Sequence, residues 1–215
     1  MGCPVTRFPG CPVGLCQEAG RPGNWATADR LCYLSRPMHT IRAAAQHAEA
    51  IHSTAELLEK LRIEAIFVGS VARSAWLGID VDGGAVDVLA LMNAPQKNQV
   101  AMMAGNRGFR VERSEIEQSE ELDLVPLNFV ADDGGEVRVH VLLASNALYG
   151  RMVSAGRPAQ IGERAIRVAA PEDLALMLLV AEDEGAVRRL MTLPEFDRNA
   201  FNDRLTSIGL GAVAE

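Results

Sequence analysis

Gly69 and Ser70 follow the apolar run Ala65-Ile66-Phe67-Val68 and open the segment SVARSAWLG, whose apolar spacing is helical. A glycine at such a strand-to-helix turn lets backbone approach a ligand closely. The free N–H groups of the helix start favour an anion, phosphate above all. Ser70 adds a hydroxyl donor, and Arg73, one turn on, either meets the same anion or is simply solvated, the plainer reading. Asp87 is the single acid in AVDVLALM, residues 85–92. A carboxylate in so apolar a strand is costly unless partnered, which points to a site role for Asp87. His140 lies in EVRVHVLLA, where Val137, Val139 and Val141 alternate with Arg138, His140 and Leu142. That period of two puts Arg138 and His140 on one face of a strand. If this strand runs beside Val86–Leu91, Asp87 and His140 become neighbours, either hydrogen-bonded or holding one metal ion.

Asp80 and Asp82 form a literal acid-x-acid pair, but Gly83 and Gly84 follow them. Two glycines do not continue a packed strand, and chelating carboxylates need a rigid support. IDVDGG therefore reads as a turn.

The elements that must position these residues follow from periodicity. Residues 41–62 carry apolar side chains at helical spacing, with Ser53 or Thr54 able to cap a second segment. AIFVG is a short buried strand, and the helix after it stops at Gly78. AVDVLALM is a strand, and helix is expected around Gln96 to Asn106 and strand near Phe109 to Glu112. LVPLNFV and EVRVHVLLA read as an antiparallel pair joined by ADDGG. SNALYGRMVSAG reads as a helix capped by Ser145. APEDLALMLLVAEDEGAVRRLM reads as a helix with Pro171 in its first turn and Glu172 and Asp173 at its positive end. DRNAFNDRLTSIG is the last helix. Met102 and Met103 read as core or interface filler, and the six acids between Glu112 and Asp123 as a solvated face.

The chain has 215 residues, a formal net charge of −7 and 48% hydrophobic residues. An acidic chain of this kind offers no extended nucleic-acid surface, and no apolar run approaches the ~20 residues that span a bilayer. A cytoplasmic location is the expectation. All four cysteines, Cys3, Cys11, Cys16 and Cys32, precede Met38, as do Pro4, Pro9, Pro12, Pro22 and Pro37. The cysteine gaps do not pair as C-x2-C for zinc. MGCPVT literally fits an N-myristoylation pattern, with nothing else in the chain to support it. Residues 1–37 read as a disordered leader, or as sequence upstream of a start at Met38. Residues 38–215 read as one domain, with a core over about 50–168 and a helical tail over about 171–210.

The chain's order resembles a known pattern, in which a strand ends in Gly-Gly or Gly-Ser, a helix follows, a loop leads to a second strand reading acid-hydrophobic-acid, and a third acid sits on a later strand. It is that of the DNA-polymerase-beta-like nucleotidyltransferases, nearest to the small bacterial AbiEii-type and minimal nucleotidyltransferases, over about residues 50–210. The resemblance implies an α+β (α/β-like) nucleotidyltransferase fold: a mixed β-sheet flanked by helices, with a helical C-terminal tail. It implies a nucleoside triphosphate ligand at Gly69, Ser70 and Arg73, and Mg²⁺ held by strand carboxylates. The activity it implies is transfer of a nucleoside monophosphate to a protein, RNA or small molecule, as in some toxin-antitoxin pairs.

Three positions depart from the pattern. On this likeness Ala85 stands where the first acid belongs, Asp87 keeps the second, and His140 stands where the third would be. Leu178 occupies a position that often carries lysine. The resemblance then implies Mg²⁺ weakly held by Asp87 and His140, catalysis at Asp87 weakened or lost, and a regulatory role for nucleotide binding. An active transferase is one alternative. A module that binds a protein partner, or itself, is the other.

Overall fold

The computed structural model describes residues 39–111 and 123–210, all within the unit Met38–Glu215. The leader reading and all but the last residue of the acidic stretch fall outside the described residues.

Among the described residues, eight strands form one mixed sheet: β1 (His39–Thr40), β2 (Glu64–Phe67), β3 (Val86–Leu91), β4 (Phe109–Arg110), β5 (Leu124–Val130), β6 (Glu136–Leu143), β7 (Arg157–Ile161) and β8 (Arg164–Val168). Their order is β1-β7-β8-β2-β3-β6-β5-β4. β3 runs parallel to β6 and antiparallel to β2, and β5 and β6 form the antiparallel pair expected across ADDGG. Among the described residues, seven α-helices flank the sheet: α1 (Ala45–Lys60), α2 (Gly69–Leu77), α3 (Ala94–Ala104), α4 (Ala147–Ala155), α5 (Pro171–Val180), α6 (Glu184–Leu190) and α7 (Arg198–Ser207). The architecture is α+β with a mixed sheet and a helical tail. No helix among the described residues is long and apolar enough to cross a membrane.

The alternation in β5 and β6 decides which side faces the core. Val125, Leu127 and Phe129 are buried on β5, and Val137, Val139 and Val141 on β6. They face the side on which α1 packs against β6 and α3 against β5. A fully buried aliphatic side chain contributes about 1.5–3 kcal/mol. A one-residue slip of β6 would expose all three valines and bury Arg138 and His140, so the register is strongly specified. The opposite face of β3, β6 and β5 carries Asp87, His140 and Arg138. α4 covers its far end, where a Cβ on Gly150 would meet Leu91 Cδ2 at 3.8 Å.

Several local expectations are corrected. The first helix begins at Ala45, not residue 41, because the chain from Ile41 to Ala44 bonds to other segments. Ile41 N–H donates to Gln160 O (2.7 Å) and Ala44 N–H to Val81 O (2.9 Å). That helix does not split at Ser53 or Thr54, since the Thr54 hydroxyl donates to Ala50 O within it (2.7 Å). Asn146, not Ser145, caps α4 by accepting from Tyr149 N–H. The segment 170–191 is two helices, because Glu182 sits at φ 61° and Asp183 starts a new helix by accepting from Ala186 N–H. Met103 packs against the core, whereas Met102 is exposed. The β7–β8 hairpin and β1 had no counterpart in the sequence reading.

Candidate functional site

Three elements build the site: the start of α2, the first turn of β3 and the middle of β6. Gly69 is the first residue of α2 and sits at φ +53°. A Cβ there would lie 2.7 Å from Asp87 Oδ2. No side chain fits between this helix start and that carboxylate. Ser70 does not leave its hydroxyl free; it donates to Ala85 O at 3.3 Å. The hydroxyl thus ties the helix start to the residue preceding β3.

Asp87 and His140 are direct partners in the parallel β3–β6 register. His140 Nδ1 and Asp87 Oδ1 are 2.9 Å apart, with side chains 30% and 32% exposed. An ionised carboxylate only accepts hydrogen bonds, so an ionised Asp87 takes its bond from Nδ1–H of His140. Carboxylate oxygen Oδ1 is engaged by the histidine, and Oδ2 lies against the glycine. The pair expected from the alternation is formed.

Arg73 points elsewhere. Its guanidinium pairs with Asp183 Oδ2 at 3.2 Å, and Asp183 also caps α6. Arg189 adds a bond to Leu77 O at 3.2 Å. Together they fasten α2 to the helical tail. Asp183 was missed as Arg73's partner because it looked like the interior of one long helix. Asp80 pairs with Arg42 at 3.0 Å and Asp82 is exposed nearby, on either side of buried Val81, which is bridged to Ala43 rather than lying in the expected turn. Neither belongs to the Asp87–His140 pair. Arg138 is exposed on the His140 face, two residues away on β6. A separate cleft between α4, α5 and α7 is lined by Arg151, Asp173, Asp203 and Arg204, and none of the residues around Asp87 reaches it.

The donor set can be tested against Mg²⁺. That ion demands near-octahedral oxygen coordination, with one or two carboxylates beside substrate phosphates. Here the side chains offer one carboxylate, already hydrogen-bonded, and one imidazole nitrogen; Ala85 offers nothing. No group of three or more His, Cys, Asp or Glu suited to a metal occurs among the described residues. The residues do not fit Mg²⁺. What the arrangement offers is a helix start, a polar pair and a nearby arginine on a solvent-accessible sheet face.

No family model matches the chain, and no curated protein matches it. Solved structures do. An antigenic nucleotidyltransferase-like protein from Paracoccidioides brasiliensis aligns over 78% of this chain and 88% of its own, at 12% identity and TM-score 0.45. A cytoplasmic RNA terminal U-transferase aligns over 65% of this chain and 41% of its own, at 13% identity and TM-score 0.32. The Cid1 poly(U) polymerase aligns over 74% and 46%, at 11% identity and TM-score 0.29. At these scores the likenesses carry nothing over to individual residues, and the assignments above stand on this chain's own geometry.

Proposed function

We propose that the protein is a nucleotidyltransferase-superfamily member that binds a nucleoside triphosphate and has lost efficient nucleotidyl transfer, serving a regulatory role in the cytoplasm. The observation that carries this reading is the Asp87–His140 hydrogen bond at 2.9 Å. On the resemblance, this hydrogen-bonded pair stands where two-metal transfer would need paired metal-binding carboxylates. The binding half of the reading is supported by the Gly69-Ser70 helix start, which brings backbone N–H groups to the same edge of the site.

A thermal-shift panel of the four nucleoside triphosphates, with and without Mg²⁺ or Mn²⁺, tests it. Stabilisation by at least one of them is expected, lost on Ser70→Trp, together with no transfer of labelled nucleotide to an acceptor. No shift from any triphosphate would sink the reading. Mg²⁺-dependent transfer abolished by Asp87→Ala would replace it with an active enzyme.

A further inference from the structure

We infer that this site takes polyphosphate directly, without a divalent cation, and that Arg138 supplies the positive charge a metal would otherwise bring. The inference rests on the nucleotide-site reading above and deepens it. A triphosphate carries several negative charges, and convergent carboxylates would repel it unless a cation stood between them. This site has a single carboxylate. Asp87 Oδ1 is bonded to His140 Nδ1 at 2.9 Å, and Oδ2 lies against Gly69. Ala85 and His140 add no negative charge.

Arg138 lies on the same face of β6 as His140, roughly 6.6 Å further along the strand. It is exposed, and no ion pair or hydrogen bond engages it among the described residues. Its planar guanidinium presents five donors, suited to bidentate contact with phosphate oxygens. Arg138 offsets the one carboxylate of Asp87, so phosphate meets less repulsion here than paired carboxylates would present. Each of the other arginines that the fold brings toward α2 is already committed: Arg73 to Asp183, Arg42 to Asp80, Arg189 to Leu77 O.

Calorimetric titration of the full chain with ATP, once in EDTA and once in Mg²⁺, decides the matter. The wild type is expected to bind within about twofold in the two conditions. Arg138→Ala is expected to weaken binding about tenfold, the loss of a charge-assisted contact. The double variant Ala85→Asp/His140→Asp, checked for folding by circular dichroism, is expected to bind only with Mg²⁺. Wild-type binding that needs Mg²⁺ overturns the inference and leaves the nucleotide reading standing. Binding unchanged by Arg138→Ala overturns the assignment of that residue. Failure to bind in either condition overturns the nucleotide reading and this inference with it. If the double variant does not fold, the wild type and Arg138→Ala decide alone.

Discussion

Gly69 and Asp87 are packed so closely that a single methyl group added at Gly69 would lie 2.7 Å from the Asp87 carboxylate. The backbone at Gly69 also sits at φ +53°. Gly69→Ala therefore meets two penalties. The left-handed conformation costs a non-glycine residue about 1–2 kcal/mol, and the carboxylate must move as well. Chemical denaturation is expected to show a loss of at least that size, and triphosphate stabilisation is expected to vanish in the variant that remains folded.

The Asp87–His140 pair behaves differently. Both side chains are about a third exposed, and a pair in contact with solvent contributes about 1 kcal/mol or less. His140→Ala is expected to change the unfolding free energy by less than about 1 kcal/mol while altering the response to triphosphate. Equilibrium unfolding alongside ligand titration separates the two effects. A large stability loss with binding intact would make the pair structural.

Asp173 and Arg204 form the buried counterpart. The Asp173 side chain is 2% exposed and accepts from Arg204 Nε and from Nη2, the latter at 3.4 Å. This pair locks α7 onto the first turn of α5. Arg204→Ala leaves a carboxylate buried without its cation, at a cost of about 3 kcal/mol. Adding Asp173→Leu to that variant is expected to recover most of the loss, as read from denaturation midpoints.

Glu56 links three elements by accepting from Arg107 at 2.7 Å and from Arg164 at 3.0 Å. The Arg107 hydrogen bond holds its carboxyl below the usual glutamate value; slight burial opposes this, and Arg164 reinforces it. A depressed folded-state value means that the contribution is present above the unfolded value and fades as pH falls through the folded one. Glu56→Gln is therefore expected to lower Tm slightly at about pH 7, with the difference closing toward about pH 3. The effect is small because Glu56 is half exposed and screened. A difference that grows on acidification would contradict the assignment.

Much of the site was legible in the sequence. A lone acid in AVDVLALM and strict alternation through EVRVHVLLA suffice to place Asp87 and His140 on strand faces. Their contact follows once β3 and β6 adjoin, as they do in the register Asp87↔His140. Gly69 was readable as a turn glycine, but its closeness to Asp87 depends on how β2 and β3 pair, which is a nonlocal fact. Arg73 illustrates the limit on the other side. Its position on α2 was clear, yet its partner Asp183 lies 110 residues on, at a helix boundary set by the positive φ of Glu182. The β7–β8 hairpin was missed because its alternation is weak. Ala159, Ile161, Ile166 and Val168 are buried, but Pro158 and three arginines (Arg157, Arg164 and Arg167) mask the apolar pattern.

The central claim is that triphosphate meets the protein at the start of α2 beside Asp87 and His140. An amide NMR titration with ATP tests it most directly. The account predicts that the amide signals of Gly69, Ser70, Arg138 and His140 move together and saturate. Movement confined to the cleft around Arg151 and Arg204, with Gly69 and His140 unaffected, would contradict it.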